Sequence, residues 1–76
     1  EAFSWIFMDP PYGKGLEFQV LEALQGTTLV DEETRIIIEE SLDVTWEQAE
    51  ALGYEIIKEK KYKTNQHVFL KKRGEL

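Results

Sequence analysis

The chain has 76 residues, enough for one small domain, and it contains no cysteine. Disulfides and thiolate metal sites are therefore excluded. The net charge of −6 is unevenly distributed: residues 1–55 carry thirteen acidic and two basic side chains, whereas residues 56–76 carry two acidic and seven basic ones. The sequence contains no apolar run long enough to span a membrane and no signal-like segment, so we expect a soluble, cytoplasmic protein.

The first predicted element is a strand at residues 3–8, an apolar run that leads directly into Asp9-Pro10-Pro11-Tyr12. Each proline holds the preceding residue in an extended conformation and lacks an N–H group, so this segment is stiff and its carbonyl groups are available as acceptors. The carboxylate of Asp9, the carbonyl of Pro10 and the ring of Tyr12 then surround one small volume. A turn that only connects a strand to a helix is the alternative interpretation.

Two acceptors and a stacking face suit a planar heterocycle that carries an amino group. The lone pair of such an amine is delocalised into the ring, which makes the nitrogen a weak nucleophile. Acceptors that take both N–H bonds would aim the lone pair at an electrophile. Tyr12 would stack on a base that has been taken out of its helix. The motif therefore predicts chemistry at the exocyclic amine of a nucleobase.

A helix and an interior strand are predicted next. The helix begins near residue 16 and stops at Gly26, and its apolar face is formed by Leu16, Val20, Leu21 and Leu24. Residues 35–41 contain three successive isoleucines, a pattern that favours a parallel, interior strand covered on both faces.

In the last third of the chain, the sequence pattern predicts a short helix followed by a hairpin. Thr45 is the expected N-cap of the helix, which ends at Gly53. Residues 54–62 and 67–72 form two strands joined by a polar turn. The predicted order is β-α-β-α-β-β, an α/β fold.

The residues from Phe7 to Leu16, Phe-Met-Asp-Pro-Pro-Tyr-Gly-Lys-Gly-Leu, resemble the catalytic motif of the RsmD-type methyltransferases. That family belongs to the enzymes that methylate exocyclic amines of nucleobases from S-adenosylmethionine. Two later segments are similar to the family's next strand and to its closing hairpin. They are Ile36-Ile37-Ile38-Glu39 with Ser41, and Tyr62 with Val68-Phe69-Leu70.

The resemblance implies a methyltransferase that uses S-adenosylmethionine to modify the N2 amine of guanine in small-subunit ribosomal RNA. Asp9 and Pro10 would be its catalytic residues, and Pro11, Tyr12 and Glu39 would bind the substrate base. Its partner would be ribosomal RNA or a pre-ribosomal particle. A DNA adenine-N6 methyltransferase and a non-catalytic α/β interaction module are the alternatives.

The resemblance also implies that the chain is the C-terminal half of a Rossmann-like methyltransferase sheet. The cofactor in such folds binds against a glycine-rich turn, and Gly13-Lys14-Gly15 is too short and lies on a different loop. We therefore expect residues 1–76 to form a single partial domain that lacks the N-terminal cofactor-binding half and holds no cofactor alone. The open edge of the strand at residues 3–8 predicts a homodimer or a strand-exchanged assembly.

The basic end of the chain offers possible contacts to nucleic acid. The candidate phosphate contacts are Lys58, Lys60, Lys61 and Lys63. A solvated hairpin face explains these lysines equally well. No metal site is expected, because the acidic clusters at residues 31–33 and 39–40 match no calcium loop. The single histidine, His67, fits a packed or surface strand position better than a catalytic one.

Overall fold

The computed structural model of the protein describes residues 4–9 and 15–73. The secondary-structure elements follow the predicted order. They are β1 (Trp5–Met8), α1 (Leu16–Gln25), β2 (Arg35–Ser41), α2 (Glu47–Ala51), β3 (Tyr54–Lys61) and β4 (Asn65–Lys72).

The four strands form one sheet in the order β1-β2-β4-β3. β1 and β2 are parallel, with Trp5 opposite Arg35 and Met8 opposite Ile38. α1 is the crossover that a parallel pair requires. β4 runs antiparallel to both β2 and β3. β2 is therefore an interior strand, as the three isoleucines predict.

The core lies on one face of the sheet. Ile36 and Ile38 of β2 and Val68 and Leu70 of β4 are fully buried there. The other buried apolar side chains are Leu21, Val30, Trp46, Ala49 and Tyr54. The opposite face of β2 is only half-buried, so the prediction that both faces are covered is wrong for the described residues. Ile37 on that face lies in register with Phe7 of β1 and Phe69 of β4, and this cross-strand packing explains an apolar residue there.

The buried stripe of α1 differs from the predicted apolar face. Leu21 is buried and Leu24 half-buried, but Leu16 and Val20 are exposed, and Glu17 is buried instead. The helix is thus rotated so that residues 17, 21 and 24 face the sheet. The outward apolar side chains border an open groove, which is lined by Leu16, Gln19, Val20, Ala23, Leu24, Thr27 and Leu29.

The second helix begins one residue later than predicted, because its N-cap is Trp46 and not Thr45. The Trp46 side chain is buried, and its ring packs on Phe18 with 5.7 Å between ring centroids. Its indole N–H donates to Oε1 of Gln66 at 3.3 Å. Tertiary packing of this tryptophan therefore sets the helix start in place of a threonine side-chain cap.

The exposed outer edge of β1 leads us to predict that the chain self-associates. β1 pairs only with β2 among the described residues, and Trp5 and Phe7 are 62% and 59% exposed. An uncharged apolar edge strand is a template for another chain. We expect light scattering to show a concentration-dependent dimer, and Phe7→Lys to shift it toward monomer.

The matched control is Ile57→Lys. Ile57 is 47% exposed on β3, at the opposite edge of the sheet. The same change of apolar side chain to lysine should leave the dimer intact there. A monomer at all concentrations, or equal effects of the two substitutions, would show that β1 is not the contact.

Candidate functional site

Two carboxylates lie near the carboxyl ends of β1 and β2. Met8 is in register with Ile38, and the next residues along the two strands are Asp9 and Glu39. Because side chains alternate along a strand, Asp9 and Glu39 continue the face that carries Phe7 and Ile37. This is the face opposite the helices, and we refer to it as the open face. The carboxyl ends of parallel strands are where α/β proteins place their ligands.

Glu39 is held in place by β4. Asn65 donates from Nδ2 to Oε2 of Glu39 at 2.7 Å, and Nε2 of His67 lies 3.9 Å from Oε1. Glu39 and His67 are also direct cross-strand partners. The ring of Tyr62 meets the imidazole edge to face, with 5.0 Å between ring centroids. Glu39 therefore lies two residues before the end of β2, and its carboxylate is oriented by contacts from β4.

Asn65 and Tyr62 are the residues of this site whose contacts sequence reasoning missed. Residues 63–66 read as a turn because they are polar, but β4 begins at Asn65. Gln66 draws this segment into the sheet, because its Nε2 donates to the carbonyls of Ser41 and Val44 at 2.8 and 3.0 Å. The contact between Asn65 and Glu39 pairs an amide with a carboxylate across two strands. Such a pair can be predicted only when the strand register is known.

The loop that joins β1 to α1 carries the remaining predicted site residues. Pro10, Pro11 and Tyr12 lie outside the described residues, and their roles stay predictions. Both ends of the loop are described. Asp9 is exposed at the end of β1, and Gly15 precedes α1 with a φ of 67°, in the left-handed region that favours glycine.

A β-bulge in β3 decides which lysines share the open face. Ile56 is opposite Leu70, but Lys58 is opposite Phe69, so the register shifts by one residue between them. Lys58 and Lys60 therefore lie on the open face, beside Phe69 and His67. Without the shift, both lysines would follow Ile56 onto the helix-covered face.

The four candidate lysines thus separate into two pairs. Lys58 and Lys60 share the face of Asp9 and Glu39. Lys61 is opposite Gln66 on the other face, and its Nζ lies 3.8 Å from Glu59. Lys63 is exposed in the turn. The open face is consequently acidic at the ends of β1 and β2 and basic along β3.

The acidic cluster at residues 31–33 has a structural role. Oδ1 of Asp31 accepts from the backbone N–H groups of Glu33 and Thr34 at 2.9 and 3.2 Å, and these bonds form the turn that leads into β2. Within residues 4–9 and 15–73, no three potential ligand side chains are grouped closely enough to hold a metal ion. Over the same residues, no helix has the length and apolar character needed to cross a membrane.

The family model described as Conserved hypothetical protein 95 matches residues 1–71. The chain belongs to this family of RsmD-type methyltransferases. No curated protein matches this methyltransferase chain at a significant level.

Two solved structures share the fold of this methyltransferase chain. The candidate methylase HI0767 from Haemophilus influenzae is 20% identical with a TM-score of 0.74, and the alignment covers 97% of this chain and 45% of that one. The candidate methyltransferase YhhF from Escherichia coli is 18% identical with a TM-score of 0.71, covering 95% and 38%. The predicted methyltransferase sheet is thereby confirmed, and the chain spans less than half the length of both structures.

The family implies a cofactor of the S-adenosylmethionine type, and residues 4–9 and 15–73 contain no glycine-rich turn between a strand and a helix. The connection from β2 to α2, residues 42–46, contains no glycine. Gly15 begins α1, and a Cβ added there would meet nothing within 4 Å. The left-handed φ of Gly15 explains the glycine at this position.

Proposed function

We propose that this chain is the nucleobase-facing part of a methyltransferase that uses S-adenosylmethionine to modify the N2 amine of guanine in small-subunit ribosomal RNA. The observation that carries the proposal is the position of Asp9 and Glu39. They follow paired residues of two parallel strands and continue one face of the sheet. In this proposal, the cofactor-binding residues belong to a part of the enzyme beyond this domain.

The chemistry of the two carboxylates favours guanine over adenine. The Watson–Crick edge of guanine presents adjacent donors, the N1–H and the N2 amine. Adenine presents its amine beside an N1 lone pair, which a second carboxylate would repel. Asp9 accepts from the reacting amine in our proposal, and Glu39 accepts from the neighbouring donor.

The remaining roles follow from the loop and the lysines. The Pro10 carbonyl is the second acceptor for the amine, Pro11 keeps the loop stiff against the base, and Tyr12 stacks on the base. The bound cofactor supplies an electrophilic methyl group. Lys58 and Lys60 carry positive charge on the same face, where a phosphate backbone would pass.

Replacement of Asp9 tests the catalytic part of the proposal. In a full-length enzyme that contains this chain, Asp9→Ala should lower kcat by about 10²-fold or more, because an oriented acceptor at the reacting amine is lost. The matched control is Glu33→Gln, which changes an exposed carboxylate before the start of β2. Near-normal turnover of Asp9→Ala would reduce the Asp-Pro-Pro-Tyr motif to a structural turn.

The lysine pairs test the nucleic-acid contact. A Lys58→Gln, Lys60→Gln double variant should weaken RNA binding and reduce the slope of log affinity against log salt by about 1 to 2. A Lys61→Gln, Lys63→Gln double variant removes the same charge and should keep the slope. Equal slopes for the two double variants would assign all four lysines to the solvated surface.

The partial-domain part of the proposal has its own test. The isolated chain of 76 residues should give no saturable heat when S-adenosylmethionine is titrated into it in a calorimeter. One-to-one binding would mean that the chain carries a cofactor site of its own.

A further inference from the structure

Two glutamates are buried together beneath the candidate site. Glu17 lies in the first turn of α1 and Glu40 near the end of β2, and their side chains are 1% and 0% exposed. Oε1 of Glu40 accepts from the backbone N–H of Ser41 at 2.8 Å. Oε1 of Glu17 and Oε2 of Glu40 find no partner among the described residues. Two buried carboxylates with two unsatisfied oxygens are costly when both are ionised.

One proton bound to the pair removes the unfavourable burial of two negative charges. A protonated Glu17 can donate a hydrogen bond to the side chain of Glu40. Burial raises the pKa of Glu17, partly offset by a backbone hydrogen bond, and the hydrogen bond and charge of Glu40 raise it further. Glu17 is therefore the group that keeps its proton, and Oε1 of Glu40 is occupied by the Ser41 N–H.

Among the described residues, no ion pair joins a cation to Glu17 or Glu40. β4 places the uncharged Gln66 opposite Glu40, and the cap of α2 contributes the uncharged Trp46. Glu39 and His67, which also lie at this end of the sheet, are half-buried on the open face, and the acidic groups around the pair are exposed. These exposed groups are Asp9 after β1, Asp43 after β2, Glu47 in α2 and Glu22 on the outer side of α1.

We propose that Glu17 and Glu40 share one proton and form a pH-sensitive latch between the first turn of α1 and the end of β2. Glu17 is two residues beyond Gly15, where the loop that starts at Asp9 ends. The latch therefore fixes the exit of that loop against the strand that carries Glu39. Loss of the proton leaves two negative charges in a buried space and separates the helix from the strand. An influence on methyl transfer through the loop rests on the proposed function, but the latch itself does not.

The sign of the pH dependence follows from the direction of the shift. A raised pKa of Glu17 means that the folded state binds the proton more tightly than the unfolded state does. The stabilisation is complete below the ordinary glutamate pKa of about 4.3 and is lost as the pH rises through the raised pKa. The urea midpoint of unfolding should therefore fall across that range.

The test combines carboxyl ¹³C NMR of the glutamate-labelled chain with urea unfolding at a series of pH values. One glutamate should titrate at a higher pH than the exposed ones. Glu17→Gln donates an amide N–H to Glu40 at every pH, so this variant should lose both the high titration and the associated fall in midpoint. Glu22→Gln changes an exposed glutamate on the same helix and should keep both.

Titration of Glu17 together with the exposed glutamates would overturn the proposal, as would an unchanged pH slope in Glu17→Gln. The wild-type titration decides the question even if Glu17→Gln does not fold. Neither readout requires methyl transfer, so a failure of the proposed function would leave this result standing.

Discussion

The parallel pairing of β1 with β2 is the constraint on which the rest of the structure depends. Met8 lies opposite Ile38, so the residues that follow them, Asp9 and Glu39, continue the face that the helices leave open. Successive side chains of a strand point to opposite faces, so a slip of one residue would exchange the environments of Glu39 and Glu40. Glu39 and Glu40 are adjacent and chemically alike, so the difference between their surroundings follows from the strand register. Glu39 is oriented by Asn65 at the candidate site, and Glu40 is buried against Glu17.

The bulge in β3 has a similar effect at the other side of the sheet. Without it, Lys58 and Lys60 would lie on the face that packs against the helices, where unpaired ammonium groups are costly to bury. The extra residue is Ile57, which is left exposed. The bulge therefore separates an apolar half of β3, which contributes to the core, from a basic half that faces solvent beside His67.

The order and type of the elements could be predicted from the sequence because they depend on local patterns. The three isoleucines of β2, the turn at Gly53 and the apolar period of α1 each act over a few residues. The face that α1 buries could not be predicted, because a glutamate such as Glu17 is normally exposed to solvent. The burial of Glu17 depends on its interaction with Glu40, which is distant in sequence. The bulge, the start of β4 at Asn65 and the cap at Trp46 likewise depend on partners that are far away in sequence.

The candidate site was predictable in part for the same reason. Asp9 follows the apolar strand β1 and Glu39 follows the three isoleucines of β2, a pattern that the sequence displays directly. Their proximity requires only that the two strands be parallel neighbours. The partners of Glu39 on β4 and the separation of the lysines into two pairs require the register, which no short motif encodes.

The most direct test of the substrate is nucleoside mass spectrometry of ribosomal RNA and DNA from cells with and without the gene that encodes this chain. Our account predicts the loss of one N2-methylguanosine from small-subunit ribosomal RNA, and its return with the wild-type gene but not with an Asp9→Ala gene. Unchanged N2-methylguanosine with a loss of N6-methyladenine from DNA would instead identify the adenine enzyme. No change in any methylated base would contradict a role in nucleobase methylation.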